Sequence, residues 1–268
     1  MQPQHLVLFV GRRCNLRCPN CLWVLEDSNF FGGEDLSLDA AKEIAAYYRR
    51  KGAQSIYLQS EGEILLYDHL RELYRYCRHE LGYKMETIVT NGILLDAFED
   101  VILREMGPQV ILVSLDGYDP ETYRQRRGVG EKTFNRILEN VKRLAHKARE
   151  LNAPIRVNLN CIVGRWNYRY IKPMLALARS IGGIGSMSFG NFHPVGEDCE
   201  LRPLDKGDAE VVSYLREIIS RNDYSMDIVL PSLYGRRNRF VCEMLFDTVL
   251  VGNEGNFAPC CHISTARR

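Results

Sequence analysis

Short apolar runs rich in β-branched residues alternate along this chain with longer stretches in which apolar residues recur at helical spacing. The runs predict strands over Leu6–Val10, Ser55–Gln59, Thr87–Thr90, Val110–Leu115, Ile155–Ile162 and Ile184–Phe189. Between and after them, helices are predicted over Leu38–Lys51, Tyr67–Leu81, Leu94–Met106, Pro120–Leu151 with a break at Gly128-Val129-Gly130, Tyr168–Ile181 and Asp205–Arg221. Parallel neighbours need a crossover, usually a helix. The succession therefore predicts an α/β fold on a parallel sheet, with no repeat, low-complexity tract or long linker interrupting it.

In such a fold the carboxyl ends of the strands carry the chemistry. The polar motifs fall there. A loop with Cys14, Cys18 and Cys21 follows the first strand, Gln59-Ser60-Glu61-Gly62-Glu63 the second, Thr90-Asn91-Gly92 the third and Ser114-Leu115-Asp116-Gly117 the fourth, while Asn158 and Asn160 lie on the fifth.

Composition narrows the class. With 268 residues, 46% of them hydrophobic, the chain can bury a core of barrel size. A net charge of +1 gives no reason to expect nucleic acid. No stretch has the length of a membrane span, and Leu6–Val10 is too short for a signal peptide, so a soluble, cytoplasmic protein is expected. Nine cysteines, three of them crowded into one loop, fit a reducing compartment better than a disulfide framework.

Three thiolates on one loop can hold a 4Fe–4S cluster and leave one iron open to a small molecule. A zinc knuckle would want a fourth nearby Cys or His, which the loop lacks; three unrelated buried thiols are the plainer alternative. Cys77, on a helix beside Tyr74 and Tyr76, reads as a packing thiol. Cys161 closes the fifth strand and Cys199 follows the sixth, where each is either packing or a thiol that reaches substrate.

The spacing Cys14-x-x-x-Cys18-x-x-Cys21 resembles the signature of the radical S-adenosylmethionine (AdoMet) family. That resemblance implies a partial, TIM-like (β/α)6 barrel over roughly residues 6–192. It also implies a 4Fe–4S cluster whose open iron chelates AdoMet, and an electron donor such as flavodoxin or ferredoxin. Glu61-Gly62-Glu63 resembles the family's Gly-Gly-Glu turn, with Glu61 in place of the first glycine and Ile64 in place of the usual proline. The resemblance gives Glu63 the methionine ammonium. It sets the backbone of Asn20 against adenine and puts Ser114, Asp116 and Arg127, or its neighbour Arg126, at the cofactor site; Asn160 is a further cofactor-site candidate, and Trp23 is either a shield for the cluster or ordinary core.

Near the C-terminus, Cys242, a strand, a turn at Gly255, a second strand and the pair Cys260-Cys261 resemble the opening of SPASM and twitch auxiliary-cluster domains. By that resemblance Cys242, Cys260 and Cys261 are candidate ligands of a second 4Fe–4S cluster. The later cysteines of such domains are missing before Arg268, so a fragment of a longer protein is expected. The domains expected are a barrel over 1–200, a helical linker over 201–241 and the start of an auxiliary domain over 242–268. The expected function is cleavage of AdoMet to a 5′-deoxyadenosyl radical that abstracts hydrogen from a small polyol or sugar-like natural product, in a dehydrogenation or epimerisation. The alternatives are a maturase of ribosomally made peptides using the same chemistry, and a non-catalytic Fe–S or zinc-binding scaffold.

Overall fold

The computed structural model describes residues 3–19, 21, 34–107, 109–192, 201–221, 225–234 and 244–258. The strands are β1 (His5–Phe9), β2 (Ser55–Gln59), β3 (Lys84–Met85), β4 (Thr87–Thr90), β5 (Val110–Ser114), β6 (Arg156–Val163), β7 (Ser186–Asn191), β8 (Asp227–Val229), β9 (Thr248–Val251) and β10 (Phe257–Ala258). The helices are α1 (Leu38–Arg50), α2 (Leu70–Arg75), α3 (Leu95–Val101), α4 (Pro120–Arg127), α5 (Glu131–Glu150), α6 (Ile171–Ile181), α7 (Ala209–Ser220) and α8 (Met244–Asp247). The six predicted strands form within two residues of their expected ends. Two of the predicted helices are shorter because their last turns widen into π-helix, at Tyr76–Glu80 after α2 and Ile102–Met106 after α3.

Local chemistry sets the ends. Ser37 caps α1 by accepting from the Ala40 amide. At α4, Pro120 opens the first turn and Asp119 and Thr122 form a reciprocal capping box; the break expected after it falls at Gly128. The long helix α5 buries Phe134, Ile137, Val141, Leu144, Ala145 and Ala148, a 3–4 spacing that turns one face to the sheet. Each large side chain in that stripe stabilises the packed state by about 1.5–3 kcal/mol.

Among the described residues the strands form two sheets, in the orders β10-β9-β1-β2-β3 and β4-β5-β6-β7-β8, and β4 packs beside β2. All pairings are parallel except β9 with β10, a hairpin. This is a partial α/β core with parallel sheets. Two features extend it beyond the predicted strands. Within 201–241, β8 adds to β7, and near the C-terminus β9 adds to the free side of β1 with Leu6 opposite Val249. The core fills the space between sheet and helices, with Leu6, Leu8, Ile56, Ile88, Ile111, Val113 and Leu159 essentially without exposure.

One contact between helix and strand end matters for the site. Asn140 of α5 is buried, and its Nδ2 donates to the carbonyls of Gly92 (3.0 Å) and Ile93 (3.2 Å), holding the turn after β4. Asn140→Ala leaves these carbonyls without their donor and is expected to cost about 1–3 kcal/mol, read as a lower urea midpoint at unchanged slope.

Candidate active site

The site begins where β1 and β2 end side by side. Beyond their last paired residues the two chains stay in contact: the Val10 amide donates to Gln59 O (2.9 Å), the Glu61 amide to Gly11 O (3.0 Å) and the Glu63 amide to Arg13 O (2.8 Å). The turn after β2 is thus laid against the backbone of the cysteine loop. Gly62 makes this approach possible, since a Cβ there would stand 2.1 Å from the Arg13 carbonyl oxygen.

Glu63 is buried, and its carboxylate ties the turn to the next strand. Oε1 accepts from Thr90 Oγ1 (2.7 Å) and the Leu65 amide (3.2 Å), and Oε2 accepts from the Asn91 amide (2.7 Å). Burial raises its pKa, opposed by the donors of Asn91, Thr90 and Leu65 and by the charge of Arg127. Asn91 in turn reaches the cysteine loop through Nδ2, which donates to Asn15 Oδ1 (2.7 Å).

Cys14, Cys18 and Cys21 are half-buried. The Leu16 amide lies 3.5 Å from Cys14 Sγ, the Cys21 amide donates to Cys18 O (3.0 Å), and Arg127 Nη1 lies 3.6 Å from Cys18 Sγ. Burial pushes the Cys14 thiol up to about 11, assisted by Glu63 and the two neighbouring cysteines and opposed by the Leu16 amide. Arg127 is anchored by Asp116, whose Oδ2 lies 2.7 Å from Nη2, while Asp116 Oδ1 accepts from the Ile162 amide (2.7 Å). Burial works against the Arg127 charge, and Asp116 and Cys18 more than restore it, so its pKa is raised. Its Nε is buried without a hydrogen-bond partner among the described residues.

These groups share one cavity of about 210 Å3, lined by the three cysteines, Leu16, Ser60–Glu63, Val89, Thr90, Asn91, Ser114 and Arg127. The structure therefore brings together Cys14, Cys18, Cys21, Glu63, Ser114 and Arg127 of the residues predicted from sequence. Asp116 stands behind Arg127. Asn160 is bonded elsewhere, its Oδ1 accepting from Ser188 Oγ (2.9 Å). Cys161 alternates to the opposite face of β6 from Asn160, fully buried in the core beside Asp116, and burial first and Asp116 second drive its pKa well up. Asn20, Trp23, Cys199, Cys242, Cys260 and Cys261 lie outside the described residues.

The donor set suits an iron–sulfur cluster. Among the described residues no group of three His, Cys, Asp or Glu side chains is placed to hold one metal ion. A multi-iron cluster takes its thiolates on separate irons, so its ligands need not converge on a point. Three thiols, two of them within reach of an N–H donor and all beside a buried guanidinium, meet that requirement.

The Radical SAM superfamily model matches residues 8–178. The chain belongs to this superfamily of enzymes. Two GTP 3′,8-cyclases are similar to it over 66% and 75% of its length. The probable cyclase of Archaeoglobus fulgidus is 29% identical over 177 residues, 66% of this chain and 55% of that protein. The enzyme of Xanthomonas campestris is 29% identical over 204 residues, 75% of this chain and 57% of that protein. The chain thus spans little more than half the length of these curated relatives. Among solved structures, Streptococcus suis SuiB bound to S-adenosylmethionine superposes with a TM-score of 0.74 at 17% identity, over 99% of this chain and 62% of that one. SuiB bound to its precursor peptide SuiA gives 0.74 at 16% identity, over 97% and 60%. At that identity the likeness shows the fold.

In this radical SAM core, the sequence pointed to the cysteine loop and Glu63 but not to the partners that hold Glu63. The signal for Thr90 and Asn91 was their place at a strand end beside Gly92. Breaking the buried Asp116–Arg127 pair should be more costly than removing it. Asp116→Asn is expected to destabilise the fold by about 3–5 kcal/mol in urea titrations, and Arg127→Met added to it should recover part of the loss.

Proposed function

We propose that this chain reductively cleaves AdoMet and directs the resulting radical to a hydrogen atom of a ribosomally made peptide. The observation that carries the first half is the convergence of Cys14, Cys18, Cys21, Glu63, Ser114 and Arg127 on one cavity. Cys14, Cys18 and Cys21 would hold a 4Fe–4S cluster. When bound, that cluster supplies the open iron and the electron for AdoMet cleavage.

The residues divide the remaining work by chemistry. A carboxylate offers about four acceptor positions. With Thr90, Leu65 and Asn91 occupying three, Glu63 keeps capacity for the methionine ammonium on its cavity side. The Ser114 hydroxyl and the Arg127 guanidinium, with its unpartnered Nε, suit the methionine carboxylate. Thr90, Asn91 and Asp116 hold these groups in place, and Leu16 and Val89 give the cavity apolar wall. Asn20 retains its proposed role at adenine, and a flavodoxin or ferredoxin is the proposed electron donor. Asn160 belongs to the substrate side.

A peptide substrate is supported by the fold likeness to SuiB, solved with a precursor peptide, which runs over 97% of this chain. A nucleotide is the second reading, favoured by the 29% identity to GTP 3′,8-cyclases. The small polyol expected from sequence has no such support among these relatives. With Cys242, Cys260 and Cys261, the β9–β10 hairpin is proposed to open an auxiliary-cluster domain over 242–268, after the barrel of 1–200 and its linker. Cys161 is a packing thiol with its sulfur turned to the core, and Cys199 is proposed as the substrate-side thiol.

Anaerobic reconstitution with iron, sulfide, AdoMet and dithionite should release 5′-deoxyadenosine from the parent chain. Cys18→Ala should reduce that release to background. Near-parental release from the variant would remove the cysteine loop from the chemistry. Glu63→Gln should retain iron but weaken AdoMet binding by roughly ten- to a hundredfold, the loss of a charge-assisted bond of about 1.5–3 kcal/mol, measured by calorimetry on the reconstituted protein.

A further inference from the structure

Glu61 stands where the family turn has its first glycine, and the structure shows what the larger side chain does. It is buried, with a side-chain exposure of 2%, and Oε2 accepts from Arg12 Nε at 3.0 Å. A second nitrogen of the same guanidinium goes elsewhere: Arg12 Nη2 donates to Glu254 Oε1 at 2.9 Å, across 242 positions of sequence. Glu254 sits in the turn between β9 and β10, where the Gly252 amide donates to Asn256 O and the Gly255 amide to Gly252 O. The preceding residue of that turn, Asn253, is buried and donates through Nδ2 to Glu34 O (3.2 Å).

Arg12 and Glu34 flank the cysteine segment on its two sides. The hairpin turn therefore grips both ends of the segment that carries the three thiols. The pairing of β9 with β1 brings the turn to this place, because its register carries Val251 level with Leu8, two residues short of the loop.

We propose that Glu254 and Asn253 are positioning residues: Glu254 through Arg12 and Glu61, and Asn253 through the Glu34 carbonyl, set the cysteine loop against the turn after β2, so that the C-terminal hairpin fixes the geometry of the cluster site. The two-pronged guanidinium makes the link directional, since Nε and Nη2 must satisfy Glu61 and Glu254 together. Arg13 supplies a separate staple, to Asp35, Asp68 and Leu66 O, so loss of the hairpin contact should loosen the loop without unfolding it. The placement of the loop follows from these contacts alone; the consequence for a cluster rests on the function proposed above.

Glu254 is half-exposed, at 53%, so replacing it buries no new charge. The test measures hydrogen exchange of the Glu61 and Glu63 amides, which donate to Gly11 and Arg13 of the loop, in the metal-free chain. Glu254→Gln and Asn253→Ala are each expected to speed exchange at these two amides about two- to fivefold, and Glu254→Arg to speed it more, while amides of the β5–β6 ladder stay unchanged. Glu254→Asp should restore protection. In reconstituted protein, Glu254→Arg should also alter the electron paramagnetic resonance signal of the reduced cluster at unchanged iron content. Parental exchange in all three loosening variants overturns the proposal whether or not the chain binds a cluster. Altered exchange with an unaltered signal overturns the extension to the cluster and leaves the placement of the loop standing. Failure of reconstitution itself would count against the function proposed above, since the exchange measurement does not use the metal.

Discussion

The site depends on one buried carboxylate in close contact with three segments. The Glu63 amide holds the cysteine loop at Arg13 O, its side chain holds Thr90 and the Asn91 backbone, and its own following turn is tied by the Leu65 amide. A buried carboxylate is costly unless its lone pairs are met, and here the donors that meet them come from different strand ends. Satisfying Glu63 and assembling the cavity are therefore the same event. Asn140 and Asn15 extend the arrangement outward, one from the helix layer and one from the loop itself.

Around this centre the charges are arranged as largely buried pairs. Arg127 is paired with Asp116 beneath the thiols, and Arg12 with Glu61 at the opening of the loop. Both arginines use a second nitrogen for something other than the pair, Cys18 Sγ in one case and the hairpin in the other. Guanidinium geometry allows this division where an ammonium would not, which is why lysine is no substitute at either position.

Much of the fold was legible in the sequence. The strands β1, β2 and β4 to β7 alternate or run apolar over lengths that only a strand accommodates, and the helices between them carry 3–4 periodicity, so element order and parallel pairing followed. The cysteine spacing and the acid after β2 were legible for the same reason: they are local. What escaped was long-range. Nothing near β9 shows that it will pair with β1, because pairing partners are set by register across the whole chain. The two-residue β3 and three-residue β8 are too short for a periodic signal. Glu61 looked like a defect in a glycine turn because its partner, Arg12, lies 49 positions away. Cys161 sits at the end of a strand that points to the site, but strand alternation turns its sulfur to the core.

The β9–β1 pairing also has a consequence in time. Its partners are about as distant in sequence as any two elements of this chain, and contacts of that separation form late, after the loop-closure entropy of everything between them has been met. During synthesis the amino-terminal strands emerge first and the hairpin only after β1 to β8. The thiol-bearing segment thus leaves the ribosome long before the turn that will hold its two ends. Until then its two ends are held by the contacts that form before the hairpin arrives, among them those of Arg13 with Asp35 and of the loop backbone with the turn after β2.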